Sequence, residues 1–205
     1  LEGPKGTHSF QSCSDHFDWL IPQIKSDWMI QCSSDDYSLP DRARLCMEAV
    51  AEHPCSVVAT TQFFEKPGTT DRQRISGFPR ESGYVAPEDG LLKLGFGSVI
   101  AAYNMDFLRR VGPFGTSTPD VLWGFLATLD KGFYVVANPQ HVHVEHDDLD
   151  NLGFQGIMRA AKGDKAVKLQ ELNHFQLASL YMHCLNGAMA LHPDGIPQPA
   201  YNACV

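Results

Sequence analysis

The apolar positions fall into alternating helical and strand rhythms along most of the chain. Phe17, Leu20, Ile21 and Ile24 recur at helical spacing and predict a short helix over 15–25. Residues 27–32 form a short apolar strand that runs directly into Ser33-Ser34-Asp35-Asp36. Leu39-Pro40-Asp41 opens a second helix, because proline is tolerated in the first turn and an acidic residue favours that end. Ala43, Leu45, Cys46, Ala49 and Val50 supply its apolar face, and it stops near His53-Pro54. The β-branched run over 56–61 predicts a strand. A Gly-interrupted strand is expected over 94–102, then a helix over 105–111 ended by Gly112-Pro113. A further helix is expected from Pro119 to Lys131 with Gly132 just past its end, followed by strands at 133–136 and 142–145. Residues 153–162 and 167–191 have helical spacing, with Leu177, Leu180, Cys184 and Ala188 on one face of the longer segment.

Such alternation predicts an α/β fold. Residues 1–150 are expected to form one α/β domain. Residues 151–205 should be a helical C-terminal extension, packed on that core or serving as an interaction surface. Residues 65–90 are rich in Gly, Pro and charge and predict a long loop or loose hairpin, the kind of segment that is commonly functional.

At 205 residues the chain can bury a sizeable core. A net charge of -8 without a dense basic cluster argues against a nucleic-acid surface. An acidic chain that binds a phosphorylated ligand needs a metal ion or a helix N-terminus to help. No apolar run is long enough for a transmembrane helix and no signal peptide is visible. The cysteines at 13, 32, 46, 55, 184 and 204 contain no Cys-x-x-Cys pair, which excludes a zinc ribbon. They read as reduced, buried thiols of a cytoplasmic protein, with Cys46 and Cys184 on apolar helix faces.

The acidic motif is the strongest chemical signal. Adjacent carboxylates at a strand end need a counter-charge, and Mg²⁺ or Mn²⁺ with substrate phosphates is the usual answer. The plainer alternative is that Asp35 and Asp36 cap the following helix. His141, His143, Glu145 and His146 form the densest cluster of ligand-type residues. On a strand, 141, 143 and 145 share a face and His146 points away. His141 and His143 suit zinc or copper, or are polar positions of a half-exposed strand. Arg72, Arg74 and Arg80 make the one local basic patch, either an acceptor or phosphate contact or a solvated loop. Trp28 and Trp123 read as core residues, with a sugar-stacking role open for Trp123 beside Asp120.

The order of these features resembles family 2 glycosyltransferases of the GT-A fold. There a strand carries Asp-x-Asp-Asp, followed by a short loop, a proline and a helix, much as Ser33-Ser34-Asp35-Asp36 leads to Leu39-Pro40. The resemblance continues through Met105 to Phe114, through Pro119-Asp120-Val121-Leu122-Trp123 to Gly132, and to the strand ending in His146. It covers about residues 12–150 and implies a GT-A-like mixed sheet flanked by helices. It also implies metal-dependent, inverting transfer of a sugar from a UDP- or GDP-sugar to a saccharide or other hydroxyl acceptor. By the same resemblance Asp35 holds Mn²⁺ or Mg²⁺ and the diphosphate, and Asp36 orients the sugar. Asp120 is the catalytic base, His146 completes the metal site, and Ser33 stands where the family has its first aspartate. The family's N-terminal nucleotide-binding strands have no counterpart in this sequence. That implies a longer native chain, a partner chain that supplies them, or a non-catalytic glycosyltransferase-like module of a larger assembly.

Overall fold

The computed structural model describes residues 13–33, 36–66, 68–75, 79–86, 101–112, 119–144 and 182–198. The expected sequence features at 34–35, 145–150 and 153–181 lie outside them, as do the side chain of Asp120 and both chain ends. Helix α1 spans Cys13–Leu20 and passes into a 3-10 turn at Ile21–Gln23, so the expected helix over 15–25 tightens where Pro22 enters. Strand β1 is Trp28–Ile30, β2 is Tyr37–Ser38, helix α2 is Arg42–Glu52 and β3 is Val57–Glu65. Strands β4 (Arg72–Arg74) and β5 (Gly83–Tyr84) follow, then β6 (Ala101–Asn104) and helix α3 (Met105–Val111). Helix α4 (Pro119–Leu129) leads into β7 (Phe133–Val144).

Among the described residues the strands form one mixed seven-stranded sheet with the path β1-β6-β3-β7-β2, in which β4 adds to β3 and β5 to β7. Of these pairings β3 with β7 is parallel and the others are antiparallel. The chain is therefore α/β, as the alternation predicts. The expected long loop over 65–90 is in part sheet, since Arg72 and Arg74 face Glu65 and Phe63 of β3. The two strands expected near 133–145 are one. The register between β3 and β7 shifts between Thr60 and Gln62, where β7 takes in Ala137–Gln140. Pro139 lies in that irregular stretch, where a missing N–H breaks no ladder bond.

Alternation decides which residues meet which layer. Val57, Ala59, Ala101, Tyr103, Phe133 and Val135 share a core with Leu122, Trp123, Phe125 and Leu126 of α4 and with Phe107, Leu108 and Val111 of α3. Cys184 and Ala188 of the helix at 182–191 belong to the same core. A Cβ on Gly187 would lie 2.5 Å from Leu126 Cδ1, which shows how closely that helix sits on α4. Val58, Ala102 and Tyr134 face the other side, against Cys46 and Ala49 of α2. The buried side of α2 is Arg42, Cys46 and Ala49. Ala43, expected on the apolar face, is exposed.

Three features shape the opposite end of the sheet, where β6 ends and β3 and β7 begin. Asn104 caps α3 by accepting the Phe107 N–H at 3.0 Å. Asp130, in the turn after α4, accepts both Arg110 Nη1 and Nη2, at 3.0 and 2.8 Å, as well as the Ser56 hydroxyl. Gly132 then turns the chain into β7 with a φ of 119°. Since β1, β3 and β7 run in the same direction, the residues after β1 lie at the same sheet end as Glu65 and Val144.

Candidate functional site

Asp36 leaves the segment after β1 and is drawn inward by β7. Its Oδ2 lies 3.0 Å from His141 Nε2 and its Oδ1 lies 3.0 Å from His143 Nδ1. The Val144 backbone N–H also donates to Oδ1, at 3.1 Å. These partners are more than 100 residues away in sequence, 105 for His141. The β2–β7 register makes the meeting possible, because Tyr37 pairs with Val142 and Ser38 with His141. Residues 141 and 143 then present the same face to Asp36, as period-two alternation requires.

The electrostatics favour an ionised carboxylate. Burial alone would raise the Asp36 pKa, since its side chain is 5% exposed. The contacts from His141 and His143, the Val144 N–H and the charge of His143 outweigh that and hold it well below the usual carboxylate range. His141 is fully buried, not a polar position on a half-exposed strand. His143 is 39% exposed. The ring of Phe64 stands 6.0 Å from that of His143.

A buried arginine supports this arrangement from below. Arg42 is 1% exposed. Its Nη2 donates to the Gln31 carbonyl and its Nη1 to Ser38 Oγ, both at 2.6 Å. Nη1 also lies 3.5 Å from His141 Nδ1. Arg42 thus ties the strand before the acidic motif to the strand after it. Periodicity gives the signal that could have found it, since 42, 46 and 49 share a helix face. A charged residue there reads as solvent-facing until its partners are known.

A second polar cluster borders the first. Tyr37, next to Asp36, donates to Glu65 Oε2 at 2.6 Å. Arg72 Nε reaches the same oxygen at 3.0 Å, and Arg72 Nη2 reaches the Tyr37 hydroxyl at 3.0 Å. The basic patch of the sequence is solvent-exposed, but Arg72 and Arg74 lie on β4 and not in a loop. Arg72 is bound to Glu65, and Arg74 donates to the carbonyls of Pro79 and Ala137.

Of the sequence-derived site residues, Asp36 and Ser33 are described. The Ser33 carbonyl accepts the Asp36 N–H at 3.3 Å. Asp35 and His146 lie outside the described residues, and Asp120 is placed only as a position in the first turn of α4. Trp123 is fully buried, edge-on to Phe17 and Tyr103 at 4.8 and 5.0 Å, which makes it a core residue with no face for a sugar. No group of three His, Cys, Asp or Glu residues among the described ones is arranged to hold a metal ion. Both Asp36 oxygens already accept from protein donors, so Asp36 acts as an anchored carboxylate. Among the described residues no helix is long and apolar enough to cross a membrane.

No protein-family model matches the chain, and no curated protein matches it. Among solved structures it is similar to the 1–349 segment of S. aureus TarS, at 12% identity and a TM-score of 0.49, covering 90% of this chain and 53% of that one. It is similar to the same segment in complex with UDP, at 15% identity and a TM-score of 0.47, covering 85% and 51%. With the complex with UDP-GlcNAc the identity is 11% and the TM-score 0.47, covering 89% and 57%. The chain spans about half the length of these three structures.

Proposed function

We propose that the chain is a GT-A-like, metal-dependent glycosyltransferase domain that takes a sugar from a nucleotide-sugar donor and inverts it onto a hydroxyl acceptor. The observation that carries this reading is the convergence of the acidic segment after β1 with the end of β7. Asp36 accepts the Val144 N–H, which brings the chain two residues short of His146 against the chain one residue past Asp35. The order of motifs along the sequence demands such a meeting, and helix capping by Asp36 does not. Asp36 caps no helix: its carboxylate is spent on β7.

In this reading Asp35 and His146 hold Mn²⁺ or Mg²⁺, a carboxylate and an imidazole that suit such an ion together with the donor's phosphates. A divalent ion bound there would supply charge stabilisation for the departing nucleoside diphosphate. Asp36, held ionised by β7, fixes the geometry of the motif, and any part it has in orienting the sugar is through that anchoring. Asp120 receives the acceptor proton. In this reading Asp120 lies in the first turn of α4, and α4 feeds β7 at the sheet end opposite Asp36. The eleven residues of α4 run back about 16 Å at helical rise, toward the end that carries Asp36. UDP is the first nucleotide to try, since structures similar to this chain contain UDP and UDP-GlcNAc.

A second reading, a glycosyltransferase-like module that binds without catalysis, draws on Ser33. A hydroxyl there is a weaker metal ligand than the carboxylate it replaces. A donor assay with UDP-sugars and a panel of saccharide acceptors separates the two. The catalytic reading expects Mn²⁺-dependent release of UDP that falls by at least about 10²-fold in Asp120→Asn, the scale of a lost general base. Nucleotide binding should persist in that variant. Turnover that is unchanged in Asp120→Asn would remove the base assignment, and binding without turnover would favour the module.

A further inference from the structure

The Arg42 guanidinium has no acceptor atom, so every hydrogen bond it makes runs outward. Two chains of hydrogen bonds leave its Nη1, and both end on Asp36. In the first, Nη1 faces His141 Nδ1 at 3.5 Å, and the opposite ring nitrogen, Nε2, faces Asp36 Oδ2 at 3.0 Å. In the second, Nη1 donates to Ser38 Oγ at 2.6 Å, Ser38 Oγ to Cys32 Sγ at 3.9 Å, and Cys32 Sγ to the Asp36 carbonyl at 3.7 Å. The first chain fixes the place of a proton. A ring nitrogen that accepts from arginine carries no hydrogen, so the His141 proton sits on Nε2 and points at the carboxylate. The Val144 N–H reaches the other oxygen of that carboxylate from the same strand. This chain lies out of solvent: Arg42 is 1% exposed, His141 0% and the Asp36 side chain 5%. Arg42 is itself clamped, since its Nη2 donates to the Gln31 carbonyl just past β1 at 2.6 Å.

We propose that Arg42 is a positioning residue of the nucleotide-sugar site: it holds His141 as the Nε2–H tautomer, and His141 in that form holds the acidic motif where it takes up the metal and the diphosphate. Outer partners orient the ligands of a metal site in this way, and Arg42 acts one step further out than the imidazole. A lysine cannot replace it. Its ammonium is a point donor on a flexible stem, whereas the planar fork serves Gln31, Ser38 and His141 at once. The same order spends both ring nitrogens of His141, which takes it out of the zinc or copper pair that its spacing with His143 suggests. The role at the nucleotide-sugar site rests on the glycosyltransferase reading; the tautomer of His141 does not.

The test is a long-range proton–nitrogen correlation spectrum of the full chain with isotope-labelled histidine, which reads the tautomer of each imidazole. The His141 signals are identified by their loss in His141→Gln. At neutral pH wild type should show His141 protonated on Nε2 and bare on Nδ1. A ring protonated on Nδ1, or on both nitrogens, would overturn the proposal. Arg42→Lys should lose the single tautomer and bind UDP with Mg²⁺ at least about tenfold more weakly, the scale of a lost outer partner. Protection of the buried Cys46, Cys55 and Cys184 from a thiol reagent reports that the variant is folded. A folded Arg42→Lys that keeps the tautomer or the affinity of wild type would also overturn it. If that variant does not fold, the wild-type chain still decides. Saturation with UDP and Mg²⁺, with binding confirmed by calorimetry, should shift the His141 Nε2–H resonance. Binding without that shift would remove the link between Arg42 and the nucleotide-sugar site. The expected tautomer in a chain that binds no UDP would leave the Arg42–His141 order standing and remove the glycosyltransferase reading.

Discussion

At the residue scale, buried polar groups decide more than their sequence context suggests. Asp130 is the clearest case. Burial pushes its pKa up, but the two Arg110 bonds, the Ser56 hydroxyl, the Arg110 charge and the Lys131 N–H together leave it lowered. Folding therefore removes protons from this carboxyl. Its stabilising contribution is complete above the ordinary aspartate value of about 3.9 and is lost as pH falls through the lower folded value. Asp130→Asn should cost about 1–2 kcal/mol at pH 7, a modest figure because Arg110 is 46% exposed. The gap from wild type should narrow as the pH falls below about 4, read by urea unfolding at several pH values. A gap that stays constant with pH would show that the carboxylate charge is not what matters. Asp130 fell inside the helix expected from Pro119 to Lys131, and nothing in the sequence marked it as an ion-pair partner. Arg42 and His141 were legible as polar side chains, and both proved buried because each is the other's neighbour across 99 residues. No local pattern records such a pairing.

At the element scale, the sequence specified most of what periodicity can specify. Helix α3 and the run of α4 agree with their apolar spacing and their Gly and Pro stops to within a residue or two. The strands β4 and β5 did not announce themselves, because two or three polar or Gly-flanked residues carry no alternation to read. They exist because β3 and β7 offer them open edges. The single long β7 was also hidden, since Pro139 interrupts its pattern and the pairing simply detours around it. Gly132 was read correctly as a helix stop, and the structure adds why only glycine serves. Its φ is 119°, its N–H bonds the Ala127 carbonyl at 2.8 Å, and a Cβ would lie 2.7 Å from the Tyr84 ring. Gly132→Ala should therefore destabilise the chain by about 1–3 kcal/mol in thermal or urea unfolding. Adding Tyr84→Ala should recover the part due to the ring clash and leave the backbone strain. No loss in the single variant would mean that the turn is far more pliable than its geometry indicates.

At the scale of the whole molecule, the sheet direction gathers the chemistry. The segment after β1, the end of β3 and the end of β7 reach the same edge, where ligand sites of open α/β sheets lie. The sequence made that edge legible through one motif, Ser33-Ser34-Asp35-Asp36, and through the order of the elements around it. It also set the last helices apart as an extension packed on the core or serving as an interaction surface; of these, residues 182–191 contribute Cys184 and Ala188 to the main core, and His192 Nε2 donates to the Leu129 carbonyl at 2.7 Å. Helical spacing identifies a buried face but not the surface it meets. What the sequence left out is how Asp36 is used: it is an anchor for the motif, held by His141 and His143, while its neighbour Asp35 is the residue proposed to meet the metal and the diphosphate. The most direct measurement is calorimetric titration of UDP into the chain with and without Mn²⁺, for wild type and Asp35→Asn. The account expects binding that requires Mn²⁺ and disappears in Asp35→Asn. Binding that is indifferent to the metal, or that survives in the variant, would contradict it.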